Sequence, residues 1–269
     1  MPKAREEPAW LVISVGCPCG IGPEVSVAAA AREVGGIKLL VGDFEMLCEA
    51  AELVRVSRRK LVRFTGQAQD ASKLYVVQAG PSLVARERRP GKPGKAAGAA
   101  QLAYVEKAYE LAHGRRRAAL VTAPVSKAAI AHSGLKRARD FHGHTEWLQA
   151  LDGARTSVMC FASPRLVTSL VTTHLPLCDV PGALTTQGVS DATYWLGRLL
   201  LDLNVRRPRI AVASLNPHAG EDGMFGREET RIIVPAIARA RRRLGPDVLV
   251  TGPLGAETAY RKAHAGGFD

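Results

Sequence analysis

The sequence predicts an α/β fold built around a parallel sheet. Short apolar runs alternate with amphipathic stretches along the 269 residues, an order that is typical of βαβ units. Several of these runs end in a glycine or a polar turn, and ligands bind at such strand ends in parallel α/β proteins. A hydrophobic content of 46% is sufficient for a large core. No repeat or linker marks a domain boundary within residues 1–269.

The first half of the chain predicts strands that alternate with helices. An apolar run at residues 10–16 leads into a glycine-rich loop, and Pro23 suits the first position of a helix that continues to about Val34. The loop lacks the spacing of a dinucleotide-binding fingerprint. Residues 58–70 are indistinct. The other elements predicted here are strands at 37–42, 74–79 and 118–122 and helices at 43–55 and 94–113.

The last third of the chain predicts a long helix at residues 227–244. Glu228 and Glu229 lie in its first turn and arginines in its last, which matches the helix dipole, and Pro235 is expected to kink it. The remaining elements predicted in the second half are a β-hairpin at 157–161 and 166–172, a strand at 248–251 and a helix at 255–265.

The charge of the chain is strongly positive, +12 with a pI near 9.9. Its arginine clusters are scattered and lack interleaved aromatic residues, which favours solvated helix faces over a nucleic-acid interface. A basic surface also attracts a phosphorylated substrate. No apolar run approaches the roughly 18 residues that span a bilayer. We therefore expect neither nucleic acid nor a membrane as a partner.

The five cysteines do not predict a disulfide framework, because their number is odd and only Cys17 and Cys19 lie close together. A Cys-x-Cys pair can hold a metal or do redox chemistry, but no second pair follows. The apolar stretch near the N-terminus is limited to residues 9–15, too short for a signal peptide. These features predict a cytoplasmic protein.

Two histidines follow predicted strands. His174 comes after the run at 166–171 and His218 after the run at 210–215, and an amphipathic helix at 184–204 supplies the crossover between them. Neutral imidazoles at one mouth suit a divalent metal. The alternative is a pair of surface or hydrogen-bonded loop histidines, because a usual metal site needs three protein ligands.

Two further polar stretches follow strands or precede helices. Lys127 ends the stretch Thr-Ala-Pro-Val-Ser-Lys, where it is either a binder of a substrate anion, a proton donor or a solvated residue at a helix start. His144 and Thr145 precede a helix predicted from Glu146. They either cap that helix or form a polar cluster that binds substrate.

Four stretches together resemble the 4-hydroxythreonine-4-phosphate dehydrogenase family of vitamin B6 biosynthesis. They are Gly-Ile-Gly-Pro-Glu at 20–24, Thr-Ala-Pro-x-x-Lys at 122–127, Gly-His-Thr-Glu at 143–146, and the pair Thr-Thr-His-Leu-Pro-Leu at 172–177 with Asn-Pro-His-Ala-Gly-Glu at 216–221. Each motif is moderately specific, and the set, in this order over nearly the whole chain, is highly specific.

The resemblance implies two α/β domains with a cleft between them, like isocitrate and isopropylmalate dehydrogenases, in a homodimer. It implies oxidation of 4-phosphooxy-L-threonine at its 3-hydroxyl by NAD or NADP, followed by decarboxylation, with a divalent metal such as zinc, magnesium or cobalt. His174 and His218 match two of three metal histidines, and His144 and Thr145 match substrate contacts. Catalytic and cofactor-binding residues, and a role for Lys127, stay unassigned.

The sequence departs from the family pattern in two places. Cys17 and Cys19 stand where the family usually has an acidic residue and an alanine. The family also continues past the Phe-Asp at 268–269 with its third metal histidine and much of its cofactor site, so we expect a truncated two-domain member with reduced metal affinity. His264 precedes that landmark on a predicted helix and is rejected as the third ligand.

These departures leave alternatives to the main prediction. One is a dehydrogenase of the same family that acts on 4-phosphothreonate or a dihydrodiol. The other is a truncated, catalytically silent chain.

Overall fold

The computed structural model describes residues 8–32, 35–68 and 70–269. The chain divides into two compact units, Met1–Arg155 and Thr156–Asp269, each of which has its own apolar core. The predicted end of the first helix near Val34 lies outside the described residues. In the part of the chain that the structure describes, no helix is both long and apolar enough to cross a bilayer.

The first unit is organised by a five-stranded sheet in which every pairing is parallel, as the sequence predicts. The strand order is β3-β4-β2-β1-β5. One strand, β3, falls in the stretch that the sequence left indistinct. The strands are β1 (Trp10–Ser14), β2 (Ile37–Gly42), β3 (Leu61–Arg63), β4 (Leu74–Gln78) and β5 (Ala118–Thr122).

The helices of the first unit pack on this sheet. The long α3 packs across β1, β2 and β5, whereas α1 and α2 contact each other and the β2 and β4 side. Asp43 is the N-cap of α2, and its buried carboxylate accepts a hydrogen bond from the Met46 N–H at 2.9 Å. The helices are α1 (Gly22–Ala30), α2 (Phe44–Leu53), α3 (Lys95–His113), α4 (Lys127–Ala131) and α5 (His144–Asp152).

The strand order reverses at β1. The chain moves from β1 to β2 on one side, whereas β5 lies on the other side of β1, in parallel register with it. The loops that follow β1 and β5 meet there, since the Cys17 N–H donates to the Pro124 carbonyl at 2.8 Å. Such a switch point at the carboxyl ends of parallel strands is where open α/β sheets bind ligands.

The second unit contains two small sheets. Strands β6 (Cys160–Ala162) and β7 (Val167–Ser169) form the predicted antiparallel hairpin, and β8 (Arg209–Ala213) pairs in parallel with β9 (Leu249–Leu254). Its core includes Leu200, Ile237 and Val250. Its helices are α6 (Val180–Ala183), α7 (Thr186–Asp202), α8 (Val234–Leu244) and α9 (Ala256–His264).

Strands β7 and β8 are not paired with each other within the described residues, although the crossover helix between them is present as α7. Asp269 lies between the two strands. Its N–H donates to the Arg209 carbonyl at 3.0 Å, and its carbonyl accepts from the Val167 N–H at 3.1 Å. Backbone of residue 269 thus bridges β7 and β8.

The long helix predicted at 227–244 changes type at Pro235. Residues Glu229–Ile233 form a π-helical turn, and α8 begins at Val234 with the proline in its first turn. Proline has no N–H to donate to the preceding turn, which explains why the regular hydrogen-bond ladder changes there. The predicted irregularity at Pro235 is present.

Candidate active site

His144 and Thr145 lie in the first turn of α5, not before it. The helix begins at His144 and its N-cap is Gly143, which provides no side chain to cap it. The prediction that either residue caps a helix starting at Glu146 is therefore wrong. A Cβ on Gly143 would lie 2.9 Å from the Glu146 Oε2 atom, which is the end of an exposed and flexible side chain.

The His144 ring is half-buried against an apolar neighbour. It packs edge-to-face on Phe141 with ring centroids 6.1 Å apart, and its Nε2 atom is buried without a hydrogen-bond partner among the described residues. Burial lowers the pKa of His144, and the positive charge of Lys127 lowers that pKa further. The lowered pKa favours a neutral ring at pH 7, and its Nε2 atom is unpartnered. Thr145 beside it is exposed.

Lys127 is the first residue of α4 and is held in place by α3. Ser126 caps α4 through its hydroxyl, which accepts from the Ala129 N–H at 3.3 Å, and the Ser126 N–H donates to the buried Gln101 side chain at 2.7 Å. Close helix packing is possible because Gly98 of α3 faces the Ala129 carbonyl, where a Cβ would lie only 1.9 Å away. The backbone of Lys127 is thus fixed while its side chain is exposed.

The cysteines of the glycine-rich loop fill space in the first unit. Cys17 and Cys19 are buried with Ala97, and the Cys19 thiol donates to the Glu87 carbonyl at 3.3 Å. Burial, assisted by the neighbouring Cys17, raises the pKa of Cys19 to about 11. A thiol of this kind is a poor nucleophile at neutral pH, because little of it is thiolate.

His174 and His218 belong to the second unit, and both have left-handed backbone. Their φ angles are 57° and 51°, and both side chains are exposed. Residues other than glycine adopt this conformation at a free-energy cost, and it concentrates at functional sites. His218 opens a run of positive-φ residues that extends through Asp222.

A buried carboxylate supports the turn that carries His218. Glu229 is 2% exposed, and its Oε1 atom accepts hydrogen bonds from the Leu215 N–H at 2.9 Å and the Asn216 N–H at 2.8 Å. The Asn216 amide in turn donates to Glu229 at 2.9 Å and to Glu228 at 2.7 Å. Sequence reasoning missed this role. Two adjacent glutamates at a helix start also suit the helix dipole on an exposed surface. The sequence therefore does not reveal that one of them is buried and hydrogen-bonded to the backbone of a turn.

The described residues do not provide a complete metal site by themselves. No group of three or more His, Cys, Asp or Glu side chains in the described ranges is arranged to hold a metal ion. His174 and His218 contribute two imidazoles of the right chemistry, fewer than the three ligands of a usual site. His264 is exposed at the end of α9.

Comparison with known proteins identifies the family. The profile described as "Pyridoxal phosphate biosynthetic protein PdxA" matches residues 36–269. The chain belongs to the PdxA family. The 4-hydroxythreonine-4-phosphate dehydrogenase of Acidithiobacillus ferrooxidans is 37% identical over 251 residues, which cover 93% of this chain and 73% of that protein. The predicted family and its dehydrogenase class are confirmed.

Other PdxA relatives support the same assignment. A 1.25 Å crystal structure of 4-hydroxythreonine-4-phosphate dehydrogenase from Klebsiella pneumoniae has a TM-score of 0.81 at 30% identity, covering 98% of this chain and 80% of that chain. A "Putative D-threonate 4-phosphate dehydrogenase" from Bradyrhizobium diazoefficiens is 34% identical, over 96% of this chain and 74% of its own length. The fold is that of PdxA dehydrogenases, which confirms the fold class named from the resemblance.

Proposed function

We propose that this PdxA protein oxidises 4-phosphooxy-L-threonine at its 3-hydroxyl in pyridoxal phosphate biosynthesis. The supporting observation is 37% identity over 93% of the chain to a protein named for that activity. In the reaction, C3 gives a hydride to the nicotinamide and the hydroxyl gives up its proton, which produces a β-keto acid. Carbon dioxide then leaves C2, and a proton replaces it.

The proposed substrate contacts are His144 and Thr145. The structure supports this proposal through the unpartnered Nε2 atom of His144, the exposed Thr145 hydroxyl and the uncapped first turn of α5. The N–H groups of such a turn favour an anionic ligand. Because the lowered pKa of His144 favours a neutral ring, its free nitrogen acts as a directional hydrogen-bond partner rather than as a counter-charge.

His174 and His218 are the proposed ligands of a divalent metal. Their exposure, their imidazole chemistry and their left-handed backbone support the proposal. A divalent ion supplies Lewis acidity, which lowers the pKa of a substrate hydroxyl. The contribution of Glu229 is to fix the backbone before His218 through the Leu215 and Asn216 amides.

Four finer points belong to the proposal. The cofactor is NAD or NADP, and the metal is zinc, magnesium or cobalt. The protein works as a homodimer. All five cysteines are free, which fits a reducing compartment and supports the cytoplasm as its location.

Turnover of the purified chain tests the function. NADH or NADPH formation is followed at 340 nm with 4-phosphooxy-L-threonine and each metal in turn, and substrate binding is measured separately by calorimetry. We expect Thr145→Val to weaken binding about tenfold, the effect of one lost hydrogen bond to a charged group. Thr65→Val is the matched control because Thr65 is exposed beside the far edge strand β3. The proposal would be overturned if the wild-type chain neither bound 4-phosphooxy-L-threonine nor turned it over.

A second candidate substrate is D-threonate 4-phosphate. It is favoured by the 34% identical relative whose name carries that activity. The same assay with both substrates separates the candidates. A kcat/KM that is higher for D-threonate 4-phosphate would replace the first assignment.

A further inference from the structure

Lys127 occupies the position in the first unit where an open α/β sheet binds its ligand. It begins α4 directly after the loop that follows β5, and this loop is hydrogen-bonded to the loop after β1. The switch point of the sheet lies between these two strands. Lys127 therefore lies beyond the carboxyl ends of the strands, where such sheets bind ligands, and not beyond their amino ends.

The ammonium group of Lys127 lies beside the start of α5. A Cβ placed on Gly143 would be 3.6 Å from the Lys127 Nζ atom and 3.7 Å from its Cε atom. The positive charge of Lys127 lowers the pKa of the adjacent His144. The lysine thus adjoins both proposed substrate contacts, which occupy the first two positions of the same helix.

Lys127 makes no ion pair within the described residues. The nearest carboxylate that the Gly143 position reveals is that of the exposed Glu146, which lies near the same glycine. Some other cations of this unit are paired, such as Arg137 with Glu106 at 2.9 Å. A fixed backbone, an unpaired ammonium and an adjacent uncapped helix start together make a site for an anion.

We propose that Lys127 binds the phosphate group of the substrate, next to His144 and Thr145. This inference rests on the proposed function. Phosphate is the group that matches the chemistry, because it carries up to two negative charges and three acceptor oxygens for the ammonium, the Thr145 hydroxyl and the N–H groups of α5.

Binding measurements on four proteins test the inference: the wild type, Lys127→Met, Lys127→Arg and the control Lys60→Met. Lys60 carries the same charge and is exposed next to β3, at the opposite edge of the sheet. The probes are inorganic phosphate and 4-phosphooxy-L-threonine, with calorimetry as the readout. We expect Lys127→Met to weaken binding of both probes by about ten- to a hundredfold, the range for a lost charge-assisted hydrogen bond. Lys127→Arg should stay within about threefold of the wild type.

A spectroscopic measurement adds a readout that a merely structural role would not move. The ring proton of His144, assigned with His144→Gln, is titrated by NMR in the wild type and in Lys127→Met. We expect the pKa of His144 to rise in the variant, because a like charge has been removed. An unchanged pKa would overturn the placement of the ammonium beside this ring.

The two probes separate this inference from the proposed function. If phosphate binding depends on Lys127 but 4-phosphooxy-L-threonine does not bind the wild type, the lysine is an anion-binding residue and the proposed substrate is wrong. If Lys127→Met binds both probes like the wild type, the inference is wrong while the substrate stands. An equal loss in Lys60→Met would also overturn it, because net charge would then account for the effect.

Discussion

Glu229 illustrates how a single buried side chain can fix a turn in this fold. Its carboxylate accepts two backbone N–H groups and the Asn216 amide, and these hydrogen bonds lower its pKa although burial alone would raise it. We expect Glu229→Gln to lower the free energy of unfolding by about 1–3 kcal/mol, because the new amide nitrogen would face the donor amide of Asn216. Urea unfolding at pH 7 measures this.

The control for Glu229→Gln is Glu257→Gln, the same change at an exposed position in the first turn of α9. It should leave the unfolding midpoint nearly unchanged. Equal stability of both variants would show that the carboxylate charge of Glu229 does not support the turn.

The cysteines allow a second prediction at the residue scale. Cys178 is exposed, whereas burial raises the pKa of Cys160 and raises that of Cys19 to about 11. Thiolate is the reactive form, so DTNB at pH 8 should label Cys178 first and leave Cys17 and Cys19 unlabelled until the protein unfolds. Mass spectrometry after a short reaction identifies the labelled positions. Early labelling of the Cys-x-Cys pair would contradict their space-filling role.

Residue types and spacing predicted some of these roles and not others. The sequence singled out His174 and His218 because a histidine after an apolar run is conspicuous. It could not find Glu229, whose partners are backbone N–H groups that no sequence pattern reveals. It also misplaced the start of α5, because Thr145 is a good cap by type, whereas the structure begins the helix at His144 directly after Gly143.

At the scale of elements, the turn Pro217–Gly223 is the most strained segment of the second unit. From His218 to Asp222 its φ values are all positive, between 39° and 82°. A non-glycine residue in this region costs about 1–2 kcal/mol. The turn follows β8 and is anchored by Glu229, so the sheet and the buried carboxylate keep it in a conformation that the local sequence disfavours.

Ala219 provides a test of this strain, with φ 55° and ψ 35°. Ala219→Gly should raise the free energy of unfolding by about 0.5–1 kcal/mol, because glycine adopts left-handed backbone without steric cost. Ala219→Val should lower it by more than about 1 kcal/mol, because a β-branched side chain is least tolerated there. Both are measured by urea unfolding. The opposite order of stabilities would show that the turn is not left-handed in solution.

The strands were predicted correctly where the apolar pattern of the sequence is strong. The prediction failed where contacts with distant parts of the chain decide whether a strand forms. Strands β2 and β5 match the predicted ranges, since each is a short, mainly apolar run; β2 is buried inside the parallel sheet and β5 lies at its edge, partly exposed. The three-residue strand β3 exists only through pairing with β4, so its own sequence carries little signal. The separation of β7 from β8 by Asp269 is likewise a long-range event.

At the scale of the whole molecule, acidic side chains form ion pairs between distant elements of a chain whose net charge is +12. Asp269 forms a two-point ion pair with Arg209 that ties residue 269 to β8, and Asp191 pairs with Arg243 between α7 and α8. Hydrogen bonds from Arg209 lower the pKa of Asp269. Those from Gln187 and Arg243 lower that of Asp191 although burial opposes them. Protonating these carboxylates removes contacts that join distant elements.

The stability of the protein should therefore fall in acid. A carboxylate whose pKa is lower in the folded state contributes stability above its unfolded value, near pH 4, and that stability is lost as pH falls through the folded value. His144, whose pKa is also lowered, adds an earlier loss of stability that begins as pH falls through about 6.5, because only the unfolded ring then binds a proton readily.

Urea unfolding at half-unit steps from pH 8 to pH 3 should show a shallow decline in stability below about pH 6.5 and a steeper one below about pH 4.5. The steeper decline should be reduced in Asp191→Asn, at a cost in stability at pH 7, because that variant has already lost the ion pair. A stability that stays constant or rises between pH 7 and pH 4 would contradict the lowered pKa values on which this prediction rests.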